Sequence, residues 1–190
     1  QLEATLPLKK QLWQQTVKRK IENQAYLIGT RTSKSIAYMH VCADRVKSGD
    51  SDNQEALAAA YYWKNIFPDI PDFIRGQDGL PPNNLLNYGY SILRAVVARS
   101  LVISGLLPVM GIHHHNKYDA YCLADDIMEP YRPFVDQTVL DIMAKNEQIG
   151  ELTKEIKRDL LAIPTVDVKI GGKRSPLMVA VAQTTASLAK

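Results

Sequence analysis

Apolar residues recur every three to five positions along most of the chain, the period of helices that bury one face. Leu8, Leu12, Val17, Ile21, Ala25 and Ile28 step along one stripe, and Pro7 suits a first helical turn. Lys9, Lys10, Lys18, Arg19 and Lys20 are distributed around the rest of that helix. A second helix is predicted from Ser33 to Lys47, stopped by Ser48-Gly49, and a third from near Asp52 through EALAAAYYWKNIF to Pro68. The stretch PDIPDFIRGQDGLPPNN (68–84) carries four prolines and reads as a turn-rich loop. LLNYGYSILRAVVARSLVISGLL is hydrophobic on nearly all sides, which predicts a central buried helix ending at Gly105 and Pro108. GIHHHNKYDAYC is then a polar loop, CLADDIMEP a short helix stopped by Pro130, and PFVDQTVLDIMAKNE another helix. ELTKEIKRDLLAI is amphipathic, TVDVKIGGKRSP reads as a hairpin around Gly171-Gly172, and Ser175-Pro176 open a last helix. The pattern predicts one all-α domain over 1–190, with at most a short β-hairpin near 165–174.

Composition narrows this only slightly. With 190 residues, 46% hydrophobic and 23% charged, the chain is too apolar to be disordered and long enough for a core of its own. No uncharged apolar run reaches the roughly 18 residues of a spanning helix, so no membrane segment is predicted. The N-terminus lacks both Met and an apolar h-region, and reads as a cut from a longer protein rather than a signal peptide. Two cysteines, Cys42 and Cys122, are too few for a disulfide framework and point to the cytoplasm.

Charge changes the picture more. Residues 1–47 carry nine Lys/Arg against three Asp/Glu, 48–149 seven against thirteen, and 150–190 seven against four. A basic start and an acidic middle suit a protein that grips a polyanion and holds cations against it, although the same charges would also make an ordinary solvated surface.

The segment GIHHHNKYDAYCLADDIMEP holds the most unusual chemistry. His113, His114 and His115 lie in a loop, and Asp126 and Glu129 are three apart on a helix, so both carboxylates project from one side. Oxygen ligands plus one imidazole suit Mn²⁺ or Mg²⁺ better than structural Zn²⁺, and a further acid, Glu55, is the candidate from another helix. Each residue has a plainer reading. Glu55 follows Asp52 at capping-box spacing, Asp125 and Asp126 open a helix where acids favour its dipole, and the histidines could be solvated. No serine nucleophile elbow, P-loop or dinucleotide glycine fingerprint is present.

Four stretches together resemble a known family: LPLKKQLWQQTVKRKIENQA, DNQEALAAAYYW, LLNYGYSILRAVVARSLVISGLLPVMGIHHHN and CLADDIMEPYRPFVD. They are similar, over residues 1–137 and in the same order, to the helical catalytic domain of the CRISPR-associated integrase that captures new spacers, in its type II variety. The resemblance implies a metal-dependent DNA integrase and endonuclease whose family also carries a small N-terminal β-domain, absent here. It implies Mg²⁺ or Mn²⁺ held by Glu55, His114 and Glu129, with Asp126 ranked below Glu129, and His113 as the neighbour most easily confused with His114. The implied reaction is attack by a DNA 3′-hydroxyl on a phosphodiester of the repeat, with no covalent protein intermediate. Lys18, Arg19, Arg94, Arg99 and Arg132 are candidates for DNA phosphate contacts, although some of these arginines could pair with the acids of the middle segment instead. The implied partners are double-stranded DNA (spacer precursor and repeat), a second copy in a homodimer, and a small ferredoxin-like CRISPR-associated protein. The alternative is a non-catalytic helical module that binds DNA or serves assembly.

Overall fold

Thr5 accepts the N–H of Leu8 at 3.5 Å and Pro7 occupies the first turn, so the first stripe starts as the sequence says and forms the long helix α1 (Leu6–Arg31). Val17, Ile21, Ala25 and Ile28 are fully buried, together with Trp13, whereas Leu8 at the helix start is 45% exposed. The computed structural model describes residues 1–77, 79–146, 150–170 and 172–190. Among these, α2 (Ala37–Arg45), α3 (Gln54–Asn65), α4 (Asn83–Ile103), α5 (Cys122–Met128), α6 (Arg132–Lys145), α7 (Lys154–Leu161) and α8 (Leu177–Leu188) follow α1. The only strands among the described residues, β1 (Asp167–Ile170) and β2 (Lys173–Pro176), form one antiparallel hairpin with Val168 opposite Ser175. The expected all-α class with a short hairpin is therefore what the chain adopts. Gly171 in the turn and Glu147 at the end of the sixth expected helix lie outside the described residues.

Local side-chain chemistry accounts for the boundaries that differ. The second helix starts at Ala37 rather than Ser33 because Thr32 and Ser35 bond nearby backbone N–H groups at Lys34 and Ala37, holding the segment off the helix. The expected cap of the last helix also fails. Ser175 is a strand residue whose hydroxyl is buried without a partner, and Pro176 precedes α8 with no side-chain cap. Gly105, at φ +76°, ends α4: its N–H bonds Val102 and that of Leu106 reaches Leu101, the paired closure a left-handed glycine permits. The last turn of α4 is less buried than its sequence suggests, since Val102 and Ile103 face solvent.

Two helices organise the core. On one side α1 packs against α2, α3 and the 3-10 turn Glu129–Tyr131; on the other α4 packs against α5, α6, α7 and α8. Gly89 allows the close approach of α4 and α6, since a Cβ there would meet Val135 Cγ1 at 2.5 Å. The proline-rich loop is not an untethered linker. Asn83 and Asn87 bond its backbone and the guanidinium of Arg75, while Phe73 packs on Phe67 and Trp63.

A buried polar cluster ties the two halves together. Asp136 on α6 accepts hydroxyl bonds from Tyr62 on α3 (2.7 Å) and Tyr90 on α4. Burial pushes the Asp136 carboxyl up to about 6, against the lowering effect of the two tyrosine bonds and of Arg132 and Arg75. An acid whose folded pKa is raised holds its proton in the native state after the unfolded chain has lost it. This group therefore makes stability fall as pH rises from about 4 to about 6. Asp136→Asn is expected to flatten that part of the curve, which urea denaturation of both proteins across this pH range would measure.

Candidate active site

The segment joining the two helical groups, α5 and the turn after it, carries the acids, and the loop before it carries the histidines. Asp126 is completely buried, and its carboxylate accepts the backbone N–H groups of Ile112 (2.6 Å), His113 (2.9 Å) and His114 (3.2 Å). The same carboxylate lies 2.6 Å from His114 Nδ1. Donation from Nδ1 to this carboxylate selects, in the neutral ring, the tautomer whose Nε2 keeps its lone pair. The bond to Asp126 raises the His114 pKa above its ordinary value, burial opposes it, and the charges of Asp126, Glu129 and Asp125 add to the rise.

His113 is used differently. Its ring stacks on Trp13 of α1 at 4.2 Å and 3°, while His114 meets the same indole edge-on. Further along the loop, Arg94 on α4 binds Asp119 and Asp125 and lies over the Tyr121 ring. The loop is thus held from three sides, by α1, α4 and α5. Gly111 permits the tightest point: a Cβ there would stand 2.1 Å from the His114 carbonyl oxygen and 3.1 Å from Asp126 Oδ2. Gly111→Ala cannot relieve a clash with backbone by changing a rotamer. It is expected to lower the melting temperature and to shift the His114 imidazole resonances, both readable on the purified variant.

Glu55 and Glu129 meet at Lys20. Lys20 is only 8% exposed although it is a lysine, and its ammonium lies 2.5 Å from Glu55 Oε1 and 2.5 Å from Glu129 Oε2. These two oxygens, from α3 and from the turn after α5, can therefore be no further apart than twice that distance. Arg132 binds the other Glu129 oxygen at 2.8 Å and lies over the Tyr90 ring at 4.2 Å. Burial works against the ionised Glu129 carboxyl, yet Arg132 and Lys20 outweigh it and hold its pKa down at about 2. The Lys20 ammonium is the close partner of that second, buried oxygen, Oε2.

The expected residues thus form two pairs, Glu55 with Glu129 and His114 with Asp126. Among the described residues, no group of three or more His, Cys, Asp and Glu side chains closes around one point. One reading changes. Glu55 is not a capping-box residue, because Asp50 accepts the N–H groups of Gln54 and Glu55 while the Glu55 side chain reaches Lys20. Both oxygens of Asp126 are engaged by the histidine loop. The basic candidates divide as well. Lys18, Arg19 and Arg99 reach the surface, where Lys18 and Arg19 make exposed ion pairs with Asp44 and Glu22. Arg94 and Arg132 are directed inward to Asp119, Asp125 and Glu129.

The family described as CRISPR associated protein Cas1 matches residues 4–158. The chain belongs to this family. It is 42% identical over 163 residues to the CRISPR-associated endonuclease Cas1 of Neisseria meningitidis serogroup C (strain 8013), covering 85% of the chain and 52% of that relative. A second curated Cas1 endonuclease, from Pyrobaculum aerophilum, is 35% identical over 139 residues, covering 72% of the chain and 46% of the relative. The chain spans about half the length of these relatives. Among solved structures, a Cas1 protein from Thermotoga maritima superposes with a TM-score of 0.79 at 17% identity, over 97% of the chain and 66% of that protein. A casposase bound to its integration product superposes with 0.77 at 20% identity, over 97% of the chain and 61% of that protein. At these identities the superpositions establish the fold alone, and it is the Cas1 fold. The family resemblance read from the sequence is borne out.

Sequence reading of this Cas1-family chain missed Lys20, Trp13 and the Asp136 cluster. The signal for Lys20 was present: it stands three after Val17 and four before Gln24, on the stripe that the helical period buries. A lysine on an apolar face calls for an acidic partner from another element.

Proposed function

We propose that this chain supplies the catalytic centre of a metal-dependent DNA integrase and endonuclease of CRISPR adaptation, acting on the spacer precursor and the repeat. The observation that carries the reading is the meeting of Glu55 and Glu129, from elements distant in sequence, at the buried Lys20, with the Glu129 charge also acting on His114. Two carboxylates and an imidazole tied through Nδ1 to Asp126 are a donor set suited to Mg²⁺ or Mn²⁺. The donor types suit the ion, and among the described residues the three side chains do not yet close around one point. When bound, it polarises a phosphoryl oxygen and eases ionisation of the attacking DNA 3′-hydroxyl.

The residues of the chain do the rest. Asp126 fixes the His114 ring and its tautomer, as a carboxylate behind a ligating histidine does. Arg132 grips one oxygen of Glu129 and leaves the other facing Glu55. Lys18, Arg19 and Arg99 are positioned on the surface to neutralise DNA phosphates. In strand transfer the 3′-hydroxyl oxygen forms the new phosphorus–oxygen bond and a 3′-oxygen of the repeat leaves, taking up a proton.

A second copy of the chain and a small ferredoxin-like partner belong to the same proposal, as does a cytoplasmic location. Among the described residues no helix is long and apolar enough to cross a membrane. The test is strand transfer of a spacer-like duplex into a repeat duplex. Activity with Mn²⁺ or Mg²⁺, its loss with a chelator, and a loss of at least a hundredfold in Glu55→Gln and His114→Ala are expected. Retained activity in both variants would overturn the assignment. Salt-sensitive DNA binding indifferent to metal and to both variants would favour a non-catalytic module.

A further inference from the structure

Lys20 deepens the proposed metal site, on which this inference rests. Two facts about it are unusual together: a lysine is buried, and its ammonium contacts both of the proposed carboxylate ligands. Glu55 and Glu129 carry two negative charges, and Lys20 and Arg132 carry two positive ones. The acid pair is therefore already balanced. Adding a divalent cation would place two further charges where the ammonium stands, so one of the resident cations must withdraw.

The two cations are not equally able to do so. Arg132 is planar, binds Glu129 Oε1 and lies over Tyr90, beside the Asp136 cluster. Lys20 is a point charge on a flexible four-carbon stem, attached to both carboxylates through a single atom. We infer that Lys20 is an internal counter-ion that holds the acid pair together before the metal arrives, and that the divalent ion binds by displacing its ammonium. Lys20 is thus a positioning residue. It keeps Glu55 and Glu129 from repelling each other apart, and it weakens metal binding because each ion bound must break two short ion pairs.

Two results follow with opposite signs. Removing the ammonium destabilises the metal-free protein, because two carboxylates then face each other with the one remaining cation, Arg132, in contact with Glu129 alone. The same change strengthens metal binding, and mass action makes Mn²⁺ restore the lost stability. A purely structural lysine would give the first result without the second.

The experiment is a calorimetric titration of Mn²⁺ into the wild type, Lys20→Met, Lys20→Gln and the double variant Lys20→Met/Glu129→Gln, with thermal melts of each with and without Mn²⁺. Lys20→Met is expected to melt lower than the wild type without metal, to bind Mn²⁺ at least tenfold more tightly, and to gain more in melting temperature when Mn²⁺ is added. Lys20→Gln, which keeps a polar group, supplies the same comparison if the Met variant does not fold. The double variant is expected to bind no Mn²⁺, which places the gain at the acid pair. If the wild type binds Mn²⁺ and both single variants bind equally or more weakly, Lys20 does not compete with the ion, and the metal site stands without this role. If neither the wild type nor the single variants bind Mn²⁺, the metal reading itself fails and the counter-ion role falls with it.

Discussion

Glu129→Ala is expected to lower the unfolding free energy by about 3–5 kcal/mol, the usual consequence of removing one partner from a buried ionic group. The variant leaves Lys20, which is 8% exposed, with one acid instead of two, and frees the Arg132 guanidinium from its carboxylate. The loss should depend on pH. A carboxyl held at about 2 stabilises the fold above the ordinary carboxylate range, and that stabilisation fades as pH falls toward 2. Wild type and variant should therefore differ most near neutrality and converge in acid, which denaturant titrations at several pH values would measure. Glu129→Gln separates stability from chemistry. It keeps the shape and an oxygen for Arg132, so its stability loss should be smaller, yet strand transfer should fall as far as in the alanine variant.

Asp126→Ala is expected to cost about 3 kcal/mol and to abolish strand transfer, for a different reason. Its carboxylate is the shared acceptor of three consecutive backbone N–H groups and of the His114 ring. Without it a cavity opens in a fully buried position, and donors lose an ionised acceptor, each such loss being worth about 1–3 kcal/mol before water compensates. Water can reach some of these groups, because His113 and His114 are themselves exposed, and this keeps the sum below the simple total. Asp126→Asn sharpens the interpretation. An amide can serve part of the loop but turns a donor toward one of its partners, so the fold should survive while the His114 tautomer is no longer fixed. Nitrogen chemical shifts of the imidazole would read that change directly, and Mn²⁺ affinity should fall about 10–100-fold, as it does when a partner behind a ligating histidine is lost.

Periodic burial made the helices legible, and it did so best where the stripe was longest, in α1 and α4. What it could not convey were the positions at which a side chain overrides the pattern. Thr32 and Ser35 delay α2 by bonding the backbone, and Ser175, a good cap by type, is drawn into a strand opposite Val168. The candidate site shows the same division. Residue types and spacing singled out Glu55, His114, Asp126 and Glu129, but spacing says nothing about which oxygen is already engaged. Spacing alone leaves Asp126 and Glu129 equivalent; in the fold the histidine loop engages Asp126, whereas Glu129 meets Glu55 at Lys20. His113 and His114 are likewise distinguished by Trp13, a contact between residues a hundred positions apart that no local pattern encodes. Arg132 is basic by type, and in the fold its charge faces Glu129.

The most direct measurement is anomalous scattering from Mn²⁺ in crystals of the protein, recorded at the manganese edge. A single peak bonded to a carboxylate oxygen of Glu55, a carboxylate oxygen of Glu129 and His114 Nε2, with Asp126 behind the histidine and outside bonding distance, is the expected result. A Mn²⁺ site elsewhere, or density in which Glu55 and Glu129 remain paired with Lys20 at saturating Mn²⁺, would contradict it.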